Sequence, residues 1–429
     1  MSEFAGLPVA DAGDVGMDQA HLDRINDVMS TAVADGKLPG AVTVVARKGK
    51  VVHSNAVGSL DIDAQDGQLG MNSLFRMYSQ SKPVTAVATM SLYEDGLLFL
   101  DDPIKKWLPE FADPRVTAYV QASERVKGTP IEMGGSVAAN RDLTIFDLMT
   151  MTSGMPGMSR TPVNYFPLMN IVMNGTGFQA WDQRVNDPDY SYEEMVLALS
   201  QVPLHAQPGE VWNYGSDFDV LTLLLTRATD MSLDELLAER VFEPLGMTDS
   251  SFYSGEENAD RLVTDHAWDL EGNVIVRDPP ATAEKVGRSN RQLMSGNGMF
   301  GGILSTPYDF TRFAQMLLNG GSLDGKRVLG RKTVELMTTN HIGDRSVDIA
   351  IGPGYGFGLG YAVRKSLAGS NMPGSIGTYG WGGAAGTWFF VDPKEELFGL
   401  FFTHIFGYQF SPEADHMFRF EKLAYEALN

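Results

Sequence analysis

Ser79 stands three residues ahead of Lys82 in the stretch YSQSKPVTA, and a proline follows the lysine directly. Residues three apart share one face of a helix, so the hydroxyl and the amine are within hydrogen-bond reach. Pro83 has no N–H to give to the carbonyl of residue 79, a loss that a helix tolerates only in its first turn. The helix is therefore expected to begin at about Ser79. The serine then lies at the positive end of the helix dipole, with its own N–H free for a developing oxyanion. This arrangement suits a serine nucleophile whose proton is taken by Lys82. An ordinary lysine, with a pKa of about 10.4, is neutral only about 0.04% of the time at pH 7. The site must bring that value to about 7 by desolvation or a nearby positive field, at a cost of roughly 4 to 5 kcal/mol. Alone the motif is weak: S-x-x-K arises by chance about once in a chain of this length, and a solvated helix start explains it too.

Two further stretches keep it company. In QPGEVWNYGSDFDVLTLLL, Tyr214 sits at a turn just before a strongly apolar helix. Side chains at such turns project into clefts, although a tyrosine there also serves as core filler. A phenol beside an ammonium titrates with it as a unit, so the pair can pass one proton. In YGWGGAAGTWFF, Gly382 and Gly383 open what reads as an edge strand. Glycines there admit close approach of a ligand to the backbone, and a simple bulge explains them equally well.

The elements that must position these residues divide by place in the chain. Near the start, GAVTVVARKGKVVHSNAVG is two β-branched runs joined at Lys48-Gly49-Lys50, and GTWFFVDPKEELFGLFFTH near the end repeats the pattern around Asp392-Pro393-Lys394-Glu395. The two hairpins are expected to share one antiparallel sheet. Helices are expected to flank it, over Met17 to Ala34 and in SPEADHMFRFEKLAYEAL, where Ser411 caps and Pro412 suits the first helical position. Between the ends, VTAVATMSLYEDGLL, LTIFDLMTMTSG, YSYEEMVLALSQVPL, DVLTLLLTRATDMSLDELLAERVFEPLG and YDFTRFAQMLLNGG read as helices with apolar faces. The expected fold is α/β of the α+β, two-lobed kind: a discontinuous sheet domain over 1–76 and 288–429, and a mostly helical domain over 77–287, with the site in the cleft between them. The aperiodic, Met-rich and aromatic tract 161–192 reads as irregular packing over the core or as the wall of an apolar pocket.

Composition narrows the chemistry. The chain has 429 residues, 43% of them hydrophobic, which is ordinary for a globular protein. Lys+Arg 33 against Asp+Glu 54 leaves a net charge of −21, which repels nucleic acid and anionic membranes. Cysteine is absent, which excludes disulfides, thiolate metal sites and a cysteine nucleophile. The first residues are acidic where a signal peptide is basic, and no run approaches the ~18 apolar residues of a membrane span, so a cytoplasmic location is expected. No G-x-S-x-G elbow occurs, and no histidine is followed by glutamate as a zinc hydrolase motif H-E-x-x-H requires.

In order and spacing, SQSK, LTIFDLMTMTSGM, PGEVWNYGS, VFEPLGMTDSSF, GGILSTPYDFTRFAQMLLNGG and YGWGGAAGTWF resemble the serine hydrolases of the class C β-lactamase fold, most nearly the family VIII carboxylesterases, from about residue 20 to the end. The resemblance implies a β-lactamase/transpeptidase-like fold that uses no cofactor or metal. It implies Ser79 as nucleophile, Lys82 as its base and Tyr214 as second proton carrier, with the N–H groups of Ser79 and Ala384 as oxyanion hole. Trp381, Gly382, Gly383 and Ser216 then fall at substrate-binding positions. Three departures bear on substrate. Trp381 stands where β-lactamases carry the lysine of K-T-G, so the cation for a β-lactam carboxylate is missing, which favours neutral esters. Ser216 replaces an asparagine that grips acylamides, and Met151 replaces a histidine frequent in that block. The implied activity is hydrolysis of small or short-acyl esters through an acyl-enzyme. The alternatives are a β-lactamase or amidase, an acyltransferase using the same intermediate, and a catalytically idle binding member of the fold.

Overall fold

The computed structural model describes residues 3–63, 67–119, 133–156, 192–252, 258–269, 271–278, 302–345, 347, 351–370, 372–410 and 415–429. Helix α1, Gln19–Ala34, begins where the Asp18 carboxylate accepts the N–H groups of Ala20 and His21, while Met17 bridges to Leu428 instead of entering the helix. Strands β1, Gly40–Arg47, and β2, Lys50–Gly58, form the first hairpin. Lys48 and Gly49 both take positive φ, 51° and 74°, in the two-residue turn whose twist matches paired strands. Strand β3, Phe75–Arg76, leads through the helical turn Tyr78–Gln80 into helix α2, Ser81–Glu94. Helix α3, Ile145–Thr150, starts on a capping box between Thr144 and Asp147. Helix α4, Asp217–Thr229, is followed by hairpin strands β4, Asp265–Trp268, and β5, Val274–Asp278. Then come β6, Leu304–Ser305, and helix α5, Pro307–Leu318, capped by the Thr306 side chain. The last elements are β7, Tyr355–Phe357; β8, Ala362–Arg364; β9, Tyr379–Gly382; β10, Thr387–Asp392; β11, Leu397–Phe402; and helix α6, His416–Glu426.

Seven strands form one antiparallel sheet in the order β7-β8-β9-β10-β11-β1-β2, so the first hairpin joins the last five strands where β11 pairs with β1, from Leu397 opposite Arg47 to Phe402 opposite Val42. The two hairpins do share a sheet. Its central strands are apolar on both faces, because both faces are covered. In β1, β10 and β11 alternate residues divide between two cores. Ala41, Val45, Trp388, Phe390, Leu397 and Phe401 pack toward α1 and α6, whereas Val42, Val44, Phe389, Val391, Phe398 and Phe402 join the core that includes α2, α4 and α5.

Strand β9 corrects the expectation of an edge. It lies between β8 and β10, but β8 pairs only with Tyr379 and Gly380, so the Trp381-Gly382 end is open on one side. The aperiodic tract lies outside the described residues apart from Tyr192, which starts a helix Tyr192–Ala198, and Ser411 and Pro412 lie outside them too. The long helical reading after residue 217 breaks at Asp230, whose φ is 58°. Among the described residues no helix is long and apolar enough to cross a membrane.

Candidate active site

The α-helix begins at Ser81, two residues later than expected, and Ser79 occupies the middle of the preceding 3₁₀ turn. Pro83 is the third residue of α2, inside the first turn where its missing N–H costs no helical bond. The delay has a tertiary origin. Met77 N–H donates to the Ile303 carbonyl at 2.9 Å, and Ile303 N–H donates to Ser81 Oγ at 3.0 Å, so the segment before β6 holds both sides of the turn. Tyr78 takes φ 44°, a left-handed conformation that costs a bulky residue about 1 to 3 kcal/mol. The result is a half-exposed Ser79 between buried neighbours. Among the described residues its N–H meets no acceptor.

Lys82 and Tyr214 meet as the sequence suggested: Nζ donates to the phenol oxygen at 2.6 Å and lies 4.7 Å from the ring centroid. Lys82 is 1% exposed. Burial lowers its pKa to about 7, against the opposing pull of Asp219 and Asp217. Burial likewise raises the phenol of Tyr214, while the nearby Ser79 hydroxyl draws it back without closing a full hydrogen bond. The Trp381 indole acts in the same sense without closing a full hydrogen bond. The phenol thus binds the lysine and lies near the serine. Asp217 and Asp219, both buried, are the residues that sequence reasoning missed. Burial pushes the Asp217 carboxyl up to about 7, and Ser153 eases that shift without a full hydrogen bond to either oxygen. Their signal was two carboxylates opening an otherwise apolar helix; acids are common in a first turn for dipole reasons, and only burial sets these apart.

The loop that carries Tyr214 is fastened to the loop after α3. Asn213 N–H donates to the Met151 carbonyl at 3.0 Å, Asn213 Nδ2 to Met155 O at 2.8 Å, Gly209 N–H to Thr152 O at 2.7 Å and His205 N–H to Gly154 O at 2.8 Å. Gly154 has φ 82°, and a Cβ there would lie 2.2 Å from the Ala206 carbonyl, so this register admits only glycine. Met151 ends α3 in a left-handed conformation, fully buried. The position therefore supplies a carbonyl and a core side chain rather than a polar group. Ser216 sits buried at the start of α4, its carbonyl accepting Asp219 and Val220 N–H.

Opposite Ser79, the end of β9 turns through Gly383–Gly386, with Gly386 N–H donating to Gly383 O at 3.0 Å. A Cβ on Gly383 would lie 2.3 Å from the Met77 carbonyl, and one on Gly382 would lie 2.8 Å from the Thr387 carbonyl. The space freed by both glycines is taken by the protein itself, which brings the turn against the residues before Ser79. Ala384, next in line, is half-exposed, and its N–H meets no acceptor among the described residues. Trp381 is buried with its ring centroid 5.5 Å from that of Tyr214 and 5.3 Å from that of Phe357. Among the described residues no group of three or more His, Asp or Glu side chains is arranged to hold a metal ion.

A helical turn presenting a serine, a buried lysine bonded to a tyrosine far along the chain, and a sheet strand running alongside define the β-lactamase/transpeptidase-like fold of serine hydrolases. The Beta-lactamase family matches residues 25–424, and the chain belongs to it. It is 33% identical over 381 residues to Protein Rv1367c of Mycobacterium tuberculosis, covering 85% of this chain and 86% of that one. It is 28% identical over 398 residues to Esterase EstB of Burkholderia gladioli, covering 89% and 90%. The structure of EstCE1, described as a hydrolase with promiscuous acyltransferase activity, superposes with a TM-score of 0.76 at 25% identity, covering 95% of this chain and 99% of that one.

Proposed function

We propose that the protein is a carboxylesterase of the family VIII kind, acting on small neutral esters through an acyl-enzyme on Ser79. The observation that carries the reading is the 2.6 Å contact between Lys82 Nζ and the Tyr214 phenol, which lies near the Ser79 hydroxyl, with the lysine brought to about 7 by burial. Near neutral pH half of such lysines are unprotonated, as a general base requires. Ser79 Oγ attacks the ester carbonyl as its proton passes to the Lys82–Tyr214 pair. The oxyanion is received by the N–H groups of Ser79 and Ala384, each donor of that kind being worth about 3 to 4 kcal/mol. The carbon–oxygen bond to the alcohol then breaks, the pair protonates the departing alkoxide, and water releases the acid by the same steps in reverse. Trp381 offers an apolar wall where a β-lactam carboxylate needs a cation, which favours neutral esters, and EstB is named an esterase.

A second reading, transfer of the acyl group to an alcohol or amine, is favoured by the likeness to EstCE1. A p-nitrophenyl ester of a short acid should give an initial burst of p-nitrophenol when deacylation is slow. Ser79→Ala, folded by circular dichroism, should lose at least a thousandfold in rate, and an unaffected rate would sink the assignment. Faster p-nitrophenol release with added alcohol, accompanied by formation of the new ester, would mark transfer. Nitrocefin turnover at a rate comparable to the ester would argue for a lactamase instead.

A further inference from the structure

The residue before Ser79 is held by a separate set of groups. Tyr78 Oη donates to Asp265 Oδ2 at 2.8 Å, and Arg277 Nη1 donates to the same carboxylate oxygen at 2.5 Å and to Tyr78 Oη at 3.4 Å. Asp265 is buried at the start of β4, and Arg277 is exposed on β5, so one hairpin supplies both. The Arg277 guanidinium also lies 4.0 Å from the centroid of Phe406, whose ring is 5.5 Å from that of Tyr78. Phe406 belongs to a segment with two attachments. Its N–H donates to His266 O on β4 at 2.7 Å, while the flanking Ile405 and Gly407 N–H groups donate to Ala385 O at 2.9 Å and Ala384 O at 2.7 Å. The same hairpin therefore reaches both turns that present an unbonded N–H, one through Tyr78 and the other through residues 405–407.

We infer that Tyr78, Asp265, Arg277 and Phe406 form a clamp that fixes the separation between the Ser79 and Ala384 N–H groups, making Tyr78 and Arg277 positioning residues for the oxyanion hole. The inference rests on the reading of Ser79 as nucleophile. The physical need lies in the φ of 44° at Tyr78, which relaxes by rotating the peptide that carries the Ser79 N–H unless the side chain is tethered. The tether is the phenol on a buried carboxylate, and Arg277 closes it from the solvent side.

The test uses Tyr78→Phe and Arg277→Met in the full chain, with p-nitrophenyl acetate as substrate and phenylboronic acid as probe. The probe adds Ser79 Oγ to boron as the serine proton passes to the Lys82–Tyr214 pair, leaving a tetrahedral anion in the oxyanion position. Acylation and deacylation both pass through that oxyanion. With Tyr78→Phe, kcat should fall about tenfold, KM should stay within twofold and the inhibition constant of phenylboronic acid should rise in parallel. Arg277→Met should show the same pattern at about threefold. Asp265→Asn, which keeps an acceptor for Tyr78, should retain more activity than Asp265→Ala. Wild-type kcat and boronate affinity in both Tyr78→Phe and Arg277→Met would overturn the clamp, as would a lowered melting temperature with no kinetic change or a rise in KM alone. Should Tyr78→Phe fail to fold, Arg277→Met on its exposed strand decides. Full activity in Ser79→Ala would remove the underlying reading instead, an outcome distinct from an inert Tyr78→Phe.

Discussion

Lys82 and Arg364 are each about 1% exposed, yet the two buried cations are treated in opposite ways. Arg364 donates to Tyr355 Oη at 2.7 Å and to the Met372 carbonyl at 2.8 Å, lies 3.6 Å from the buried Glu421 carboxylate and stacks over the Tyr355 ring. Burial works against its charge, but Tyr355 and Glu421 more than offset that and hold its pKa above the ordinary value. Lys82 has a phenol at 2.6 Å, and burial prevails over its carboxylate neighbours. A guanidinium spread over several fixed acceptors keeps its proton, whereas an ammonium leaning on a phenol is ready to give one up. The first arrangement holds strands β7 and β8 to helix α6. The second leaves an amine of lowered pKa against Tyr214.

One substitution separates the two. Lys82→Met should lower the rate of ester hydrolysis about a thousandfold, within the range for losing a general base, while raising stability near pH 7, because burial costs the charged lysine more than its carboxylate neighbours return. The sign follows from linkage. Folded Lys82 releases its proton near pH 7, whereas in the unfolded chain it holds it to about 10.4. The unfolded state therefore binds more protons across that window, and this group makes stability rise with pH there, a rise that the methionine variant should lack in urea titrations at pH 7 and 9. Arg364→Met should do the reverse: a loss of about 3 to 5 kcal/mol from stranding Glu421, with kcat nearly unchanged below the unfolding transition. Equal stability effects at the two sites would break the comparison.

The smallest effect sharpens it. The rate of acylation should climb with pH through about 7 as Lys82 becomes a base, and Asp217→Asn should move that limb to lower pH, because the carboxylate at 217 holds the lysine pKa up. A shift toward higher pH would remove Asp217 from the account.

The placement of Ser79 just ahead of α2 and of Lys82 in its first turn was legible in the sequence because it is local: a proline confines the helix start. Tyr214 was legible from a turn ahead of an apolar helix, and the hairpins from alternation and their turn residues. The two-residue delay of α2 was not, since it depends on Ile303 bonding to Ser81 from far along the chain. Nor was the reason for Gly383, which answers to the Met77 carbonyl. Asp217 and Asp219 read as ordinary first-turn acids because burial is a property of what packs around a helix, not of the helix itself. The interior position of β9 was hidden by the shortness of β8, three residues with no pattern of their own.

The pairing of β11 with β1 gives the molecule a history as well as a shape. The partner of β1 is synthesised long after it, so β1 and β2 wait as an unfinished edge while the helices that intervene in sequence form, and contacts so distant in sequence form slowly. A nascent chain holds Ser79 and Lys82 long before it holds the turn at Ala384. On the reading of Ser79 as nucleophile and Ala384 as an oxyanion donor, the site stays incomplete until β11 has met β1.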